Sequence, residues 1–147
     1  MIILKNQRVQ MPLIDLETRT RLVKTALEVR RYAYAPYSHY PVGAALLASS
    51  GKIYSGVNVE NASFPIGICA EPVAVYKAVS EGESSFEAIA IVSSNGATPC
   101  GFCRQVLSEF GLNILVIVAN EDGKILQETL VADLLPGAFG SAYLNQK

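Results

Sequence analysis

Cysteine and histidine are scarce in this 147-residue chain, which contains three cysteines and one histidine. Three cysteines cannot all pair as disulfides within one chain. A closed structural zinc site built on the three thiols would need the histidine, His39, as its fourth ligand. His39 lies far upstream of the cysteines in a polar, turn-like stretch, where we expect it to be exposed to solvent. The scarcity therefore argues against a closed four-ligand metal site.

The sequence also lacks a strong charge of either sign and any long apolar run. Twelve basic and thirteen acidic residues leave a formal net charge of −1, and no basic cluster larger than Arg30-Arg31 is present to attract nucleic acid. No apolar run approaches the ~20 residues that a membrane span needs. In residues 1–10 an apolar patch precedes polar and basic residues, which is the wrong order for a signal peptide. We therefore expect a cytoplasmic protein with a small-molecule substrate and no nucleic-acid or membrane partner.

The pattern of apolar residues predicts an α/β fold in a single domain, residues 1–147. Asp15 can cap a first helix, in which apolar residues recur with helical spacing: Leu16, Leu22, Val23, Ala26, Leu27 and Ala33. Predicted helices span 15–32, 69–81, 103–110 and 132–135, and predicted strands span 42–48, 53–59, 86–93, 114–119 and 125–130. The first two strands read as a hairpin. This order predicts a three-layer α/β/α sandwich with a mixed five-stranded sheet.

All three cysteines fall into one pattern with a glutamate. Cys69-Ala70-Glu71 is followed about thirty residues later by Pro99-Cys100-Gly-Phe-Cys103. Three thiols predict a zinc ion with three protein ligands and a fourth position open for water, as in catalytic sites. Glu71, two residues after a ligand, is placed to move protons to and from that water. Cys-x-Glu followed by Pro-Cys-x-x-Cys is the all-cysteine form of the zinc deaminase signature.

Other interpretations of the cysteines explain less of the pattern. Buried cysteines often act as small hydrophobic residues, and an isolated Cys-x-x-Cys can be a redox pair. Both interpretations leave Glu71 without a function. Cys69 and the Cys100/Cys103 pair lie at predicted helix starts, where unpaired N–H groups and the helix dipole stabilise thiolates. Pro72 suits the first turn of a helix, because its missing N–H costs little there.

From about residue 22 to residue 144 the chain resembles the small homotetrameric cytidine deaminases of pyrimidine salvage. The matching stretches are 34–38 (YAPYS), 42–47 (VGAALL), 58–63 (NVENAS), 69–71 (CAE), 99–105 (PCGFCRQ) and 134–140 (LLP followed by FG). The resemblance implies hydrolytic deamination of cytidine or deoxycytidine to uridine or deoxyuridine with release of ammonia. It also implies one Zn²⁺ per chain and a homotetramer whose active sites are shared between subunits.

The resemblance assigns roles to particular residues. Zinc ligands match Cys69, Cys100 and Cys103, and the acid/base glutamate matches Glu71. Asn58 and Glu60 match the residues that hold the ribose hydroxyls, and alternation along a strand puts both on one face. The remaining expected substrate contacts are Tyr40, where the family usually has a base-stacking phenylalanine, Ala70, and Phe139, which matches an aromatic residue reaching the base from a neighbouring subunit. Core packing is the alternative role for Tyr40 and Phe139.

Three positions depart from the family pattern. Pro72 replaces a common arginine that bonds to the zinc thiolates, so helix N–H groups, Arg104 or Gln105 must offset the negative charge. Phe64 stands where tyrosine is frequent, and Ser141 where proline is frequent. The loss of a long side chain at Pro72 motivates an alternative substrate, a related or N4-modified aminopyrimidine nucleoside, including nucleoside antibiotics. A non-catalytic zinc-binding module is a third possibility, which Glu71, Asn58 and Glu60 argue against.

Overall fold

A mixed five-stranded sheet forms the centre of the fold over residues 11–144, the part of the chain that the computed structural model describes. In chain order the strands are β1 (Gly43–Ala48), β2 (Ile53–Val57), β3 (Phe86–Val92), β4 (Leu115–Ala119) and β5 (Ile125–Leu130). Their order in the sheet is β2-β1-β3-β4-β5, with β3 and β4 parallel and the other neighbours antiparallel. Residues 1–10, predicted not to form a signal peptide, lie outside the described residues.

Helices cover both faces of this sheet. Helix α1 (Leu16–Arg30) packs through Leu22, Val23 and Ala26 against one face. Helices α2 (Ala70–Ser80) and α3 (Gly101–Phe110) pack against the other, together with the short α4 (Val131–Leu134). The predicted three-layer α/β/α sandwich with a mixed sheet is therefore confirmed. None of the helices in the described part of the chain is long and apolar enough to cross a membrane.

Burial on both faces of the sheet explains why the sequences of β1 and β4 are continuously apolar. Alternate residues of β1 belong to different sides of the sheet: Leu46 faces the layer of α2 and α3, whereas Leu47 faces α1. All residues of β1 and β4 are buried. Strands covered on both faces read as continuous apolar runs rather than as alternating patterns, which explains the uninterrupted small and branched residues of these segments.

Several element boundaries differ from the prediction. Helix α1 ends at Arg30, so Ala33 lies beyond it, and Leu16 is 75% exposed instead of buried. Strand β2 ends at Val57 rather than at residue 59. The side chain of Asn58 accepts the N–H of Val42 at 2.8 Å, and this bond takes up a backbone group that could have continued the pairing of β1 with β2. The other boundaries agree with the prediction to within two residues, and β5 has the predicted bounds.

Helix α2 lies unusually close to β2, and this contact sets the position of the functional motif. A Cβ atom at Gly56 would lie 2.3 Å from the carbonyl oxygen of Ala70 and 2.5 Å from the backbone nitrogen of Ala74. Only glycine permits such a close approach of helix and strand backbones. The first turn of α2, which contains Glu71 and follows the N-cap residue Cys69, therefore lies directly against the sheet.

Candidate active site and zinc centre

The three cysteines converge at the starts of two helices. Cys69 is the N-cap of α2, Cys100 is the N-cap of α3, and Cys103 lies in the first turn of α3. Helix α3 begins two residues earlier than predicted, because the carbonyl of Cys100 accepts the N–H of Arg104 at 3.0 Å. The three Sγ atoms all lie within 4.8 Å of one another, and the Cys100–Cys103 pair is 3.4 Å apart. The cluster is graded from buried Cys103 to exposed Cys100.

The sulfur atoms influence one another's ionisation in opposite directions. A hydrogen bond from the Cys103 thiol lowers the pKa of Cys69 to about 7, whereas the pKa of Cys103 is raised by its bond to Cys69 and by burial. One thiolate is stabilised by its neighbours, and further negative charge in the same place needs a cation. Zinc accepts this donor set of clustered thiolates. His39, which is exposed and has a φ of 55°, is not part of the cluster.

Glu71 is the buried acid of the site. It is the second residue of α2 and only 4% exposed. Burial raises the pKa of its carboxyl group, because an ionised carboxylate loses hydration there. A carboxyl group with a raised pKa can hold a proton at a pH where an exposed glutamate has released it. This property suits a residue that transfers protons in both directions.

A cavity of 460 Å³ connects Glu71 and the sulfur cluster with polar side chains from other parts of the chain. This volume is in the range of sites for small organic ligands. Twelve residues line the cavity: Ser38, Tyr40, Val42, Asn58, Glu60, Cys69, Glu71, Ile91, Ser93, Ala97, Thr98 and Cys100. The structure therefore brings Tyr40, Asn58 and Glu60 together with the predicted metal and acid/base residues.

Two predicted substrate contacts, Ala70 and Phe139, are not among the residues that line the cavity. Ala70 is fully buried in the core on the side of α2, so its side chain faces away from the cavity space. Phe139 is 57% exposed and stacks on Tyr143 with ring centroids 5.7 Å apart. Its carbonyl oxygen accepts a hydrogen bond from Gln105 of α3 at 2.9 Å. Phe139 is thus held on the surface of its own chain.

Asn58 and Glu60 make hydrogen bonds to the segment 37–42, which forms one wall of the cavity. Besides accepting the N–H of Val42, the Asn58 amide donates to the carbonyl of Tyr40 at 2.9 Å. The Glu60 carboxylate accepts the hydroxyl of Ser38 and the backbone N–H groups of Tyr37 and Ser38. The bond from the Ser38 hydroxyl is the main cause of the lowered pKa of Glu60. Both side chains therefore shape the wall in addition to facing the cavity.

The sequence interpretation missed two residues next to the site. Ser38 was assigned no role, although its hydroxyl contacts Glu60 and also accepts the N–H of Tyr40 at 3.1 Å. Asn95 was also unassigned, and its side-chain oxygen accepts the hydroxyl of Tyr40 at 2.5 Å. A tyrosine at a usual phenylalanine position was the available signal, since a tyrosine hydroxyl near the interior generally finds a partner.

Pro72 stands where the family usually has an arginine, so the hydrogen-bond partners of Arg104 and Gln105 bear on how the negative charge of the thiolates is offset. Pro72 is buried in the first turn of α2, as its sequence position predicted. The guanidinium of Arg104 donates to the carbonyls of Pro99 and Leu134 at 2.7 and 2.9 Å and to Thr98. With Gln105 bonded to Phe139, neither side chain donates to a sulfur atom in this structure. Among the described contacts, neither side chain therefore offsets the thiolate charge by a hydrogen bond to sulfur; a longer-range contribution from the Arg104 charge stays a prediction, beside that of the helix N–H groups.

Comparison with known proteins identifies the family of this chain. Residues 16–119 match the family model described as "Cytidine and deoxycytidylate deaminase zinc-binding region". The chain belongs to this family. The match contains Glu71 and all three cysteines of the cluster, and it confirms the resemblance that the sequence motifs suggested.

Relatives of this deaminase family member match most of its length. The chain is 47% identical over 128 residues to a cytidine deaminase of Sporosarcina psychrophila, covering 85% of this chain and 93% of that protein. It is 45% identical over 130 residues to a cytidine deaminase of Halalkalibacterium halodurans, covering 86% and 98%. A crystal structure of cytidine deaminase from Burkholderia pseudomallei has a TM-score of 0.77 and 43% identity, covering 81% of this chain and 97% of that one.

Proposed function

We propose that this chain catalyses the hydrolytic deamination of cytidine and deoxycytidine. Water replaces the 4-amino group of the base, and the products are uridine or deoxyuridine and ammonia. The observation that carries the proposal is the buried Glu71 carboxyl beside the three-sulfur cluster, in a 460 Å³ cavity that Asn58 and Glu60 also line. The cytidine deaminases related to the chain over most of its length support the same activity.

Cys69, Cys100 and Cys103 would hold one zinc ion per chain. When bound, zinc supplies Lewis acidity that makes a water molecule acidic and nucleophilic near neutral pH. Glu71 accepts a proton from the attacking water and passes it to N3 of the base. It then takes the second proton of the former water and delivers it to the departing amine. The raised pKa of Glu71 supports both steps, because the group must bind a proton and release it in each cycle.

Asn58 and Glu60 bind the sugar in this proposal, and Tyr40 packs against the base. Glu60 is suited to accept hydrogen bonds from sugar hydroxyl groups, because the hydrogen bonds that it already accepts lower its pKa and keep it ionised. A carboxylate has about four lone-pair sites, so its bonds to the 37–38 segment leave acceptor capacity for a ribose hydroxyl. The same bonds hold the carboxylate in place before the nucleoside arrives.

We further propose that residues 1–147 act as one catalytic domain in a cytoplasmic homotetramer of pyrimidine salvage, with no nucleic-acid or membrane partner. Phe139 would contact the base in a neighbouring subunit's site, and Ala70 would contribute through its backbone. Large apolar side chains on the surface support subunit contacts, notably Phe64 at 74% and Phe139 at 57% exposed. Tyr37 and Phe64 form an edge-to-face pair beside the cavity wall.

Pro72 supports a second candidate, deamination of N4-modified cytidines or related nucleoside antibiotics. Proline replaces the arginine usual in the family, and Arg104 is bonded to the loop carbonyls instead. In this second candidate, the shorter side chain leaves more space near the leaving group than an arginine would. A non-catalytic zinc-binding module is disfavoured, because such a module has no need of a buried acid in an open cavity.

One assay distinguishes these functions. The zinc-loaded protein is supplied with cytidine, deoxycytidine, N4-methylcytidine or free cytosine, and ultraviolet absorbance and released amine are followed. We expect rapid turnover of the first two and little turnover of cytosine, because the sugar-binding residues then have no partner. Faster turnover of N4-methylcytidine than of cytidine would support the second candidate. No turnover of any nucleoside by protein carrying one zinc per chain would contradict both.

A further inference from the structure

The hydroxyl of Tyr40 joins two walls of the candidate active site. It donates to the side-chain oxygen of Asn95 at 2.5 Å, across 55 positions of sequence. Tyr40 belongs to the wall segment 37–42. Asn95 belongs to the loop 93–99, which connects β3 to Cys100 and contributes Ala97 and Thr98 to the cavity. This hydrogen bond therefore links the aromatic wall to the loop that leads into the metal cluster.

The backbone of Tyr40 is fixed without Asn95. Its N–H donates to the Ser38 hydroxyl at 3.1 Å, and its carbonyl accepts the Asn58 amide at 2.9 Å. Asn58 in turn accepts the N–H of Val42. Since these bonds hold the main chain on both sides of Tyr40, the bond to Asn95 acts chiefly on the orientation of the ring.

Asn95 is itself carried by a firmly held turn. The hydroxyl of Ser93, which is buried at the end of β3, accepts the N–H of Ala97 at 3.0 Å and closes the turn. Gly96 has a φ of 68°, and a Cβ atom there would lie 2.5 Å from the side chain of Leu126. The turn is thus braced from inside by Ser93 and packed from outside by β5. Such a turn gives the Asn95 oxygen a defined position.

We infer that Asn95 is a positioning residue for nucleoside binding, which holds the Tyr40 ring in the orientation that packs against the pyrimidine base. The inference rests on the proposed nucleoside deamination. A ring that is already oriented loses less rotamer freedom when the nucleoside binds. The ring meets the base in the ground state and in the transition state alike. Loss of the bond should therefore weaken uniform binding, which raises KM and leaves kcat nearly unchanged.

Four variants of the zinc-loaded protein test this inference: Asn95→Leu removes the acceptor, Tyr40→Phe removes the donor, the double variant removes both, and Asn95→Asp retains an acceptor oxygen. KM and kcat for cytidine are measured, together with the dissociation constant of uridine by calorimetry. We expect Asn95→Leu to raise KM and the uridine dissociation constant about three- to tenfold, as for the loss of one ordinary hydrogen bond. Tyr40→Phe and the double variant should match it, and Asn95→Asp should stay near the wild type.

Ser94→Ala is the matched control, because it changes an exposed residue of the same loop and should leave all constants unchanged. The inference is overturned if Asn95→Leu leaves KM and uridine binding at the wild-type values, if it lowers kcat alone, or if the two single effects multiply in the double variant. A wild-type protein that releases no ammonia from cytidine would instead refute the proposed function, so the two failures are distinguishable.

Discussion

The carboxyl group of Glu71 lies almost entirely out of water, and its surroundings act on it in opposite directions. Burial raises its pKa, whereas its own backbone N–H and the Cys103 thiol favour the ionised form. A carboxyl group balanced in this way suits a reaction in which one residue takes a proton from water and gives it to a nitrogen atom. At this scale the local sequence is decisive, because the first turn of α2 carries Glu71 two residues after the cluster residue Cys69.

Glu71→Gln should keep the fold and one zinc per chain but reduce kcat for cytidine by about 10²–10⁴-fold. The amide has nearly the same shape, but it cannot accept the proton of water and pass it on. Turnover and zinc content are measured on the same preparation. Glu81→Gln, at the exposed end of the same helix, is the control and should retain wild-type activity. A loss of less than about tenfold in Glu71→Gln would assign the proton transfer to another group.

At the scale of elements, the site depends on how closely helix α2 approaches the sheet. The carbonyl of Ala70 and the nitrogen of Ala74 occupy the space that a side chain at position 56 would need. Within the sheet, Gly56 takes part in the regular antiparallel pairing of β2 with β1, opposite Ala44. The helix start that carries Cys69 is therefore placed by a close backbone contact in addition to the packing of buried α2 side chains such as Ala70 and Ala74.

Gly56→Ala should lower the free energy of unfolding by about 1–3 kcal/mol, as for other overpacked sites, and should weaken zinc binding as α2 is pushed outward. Chemical denaturation and competition with a chelator measure the two effects. Gly140→Ala provides the control, because a Cβ atom there meets nothing within 4 Å. Equal stability and zinc affinity in Gly56→Ala and the wild type would show that the backbones do not approach this closely.

The start of α1 gives a pH-dependent prediction. Asp15 accepts the N–H of Thr18 at 2.6 Å, and this bond lowers the pKa of its carboxyl group in the folded protein. A folded pKa below the unfolded value means that Asp15 stabilises the fold above the unfolded pKa, about 3.9. This contribution is lost as the pH falls through the folded pKa.

The stability difference between the wild type and Asp15→Ala should therefore be present at about pH 6 and shrink towards about pH 3. Asp15→Asn retains a capping side chain that does not titrate, so its advantage over Asp15→Ala should not change with pH. Denaturant unfolding of the three proteins at matched pH measures both differences. A constant difference between the wild type and Asp15→Ala would contradict the role of the ionised carboxylate.

At the scale of the whole molecule, the two aromatic residues that we expect to contact the pyrimidine base lie in different places. Tyr40 lines the cavity of its own chain. Phe139 lies on the surface, stacked on Tyr143, and is tied by Gln105 to the helix that carries Cys103. The proposed site shared between subunits would account for both positions, since it brings Phe139 of one chain to the cavity of another.

Mixing two inactive variants tests the shared site. Glu71→Gln and Phe139→Ala are each expected to have low activity, and their subunits are combined in equal amounts under conditions that allow exchange. If the two residues act in the same site from different chains, random exchange leaves about a quarter of all sites intact, and activity returns. The control pair Glu71→Gln and Asn58→Ala affects one chain's own cavity, so activity should not return. No recovery in the first mixture would contradict the shared site.

The cysteine cluster and its neighbouring glutamate could be predicted from the sequence because they fall into two short segments, each with a recognisable local pattern. Cys69 and Glu71 lie in one helix start, and Cys100 and Cys103 lie in another. Local rules of metal-ligand spacing and helix initiation are sufficient for such groups. The buried strands could be predicted equally well, since strands that are covered on both faces appear in the sequence as continuous apolar runs.

Only the tertiary structure decided which distant residues share their hydrogen bonds. The end of β2 follows from the Asn58 amide, which takes the N–H of Val42. Arg104 turns to loop carbonyls instead of sulfur atoms, and the Tyr40 hydroxyl finds Asn95 on another loop. Polar side chains of this kind can satisfy the same bonding capacity in several ways, and their choice among partners far apart in sequence depends on how the layers pack. The spacing of these residues along the chain therefore does not predict which partner each side chain bonds.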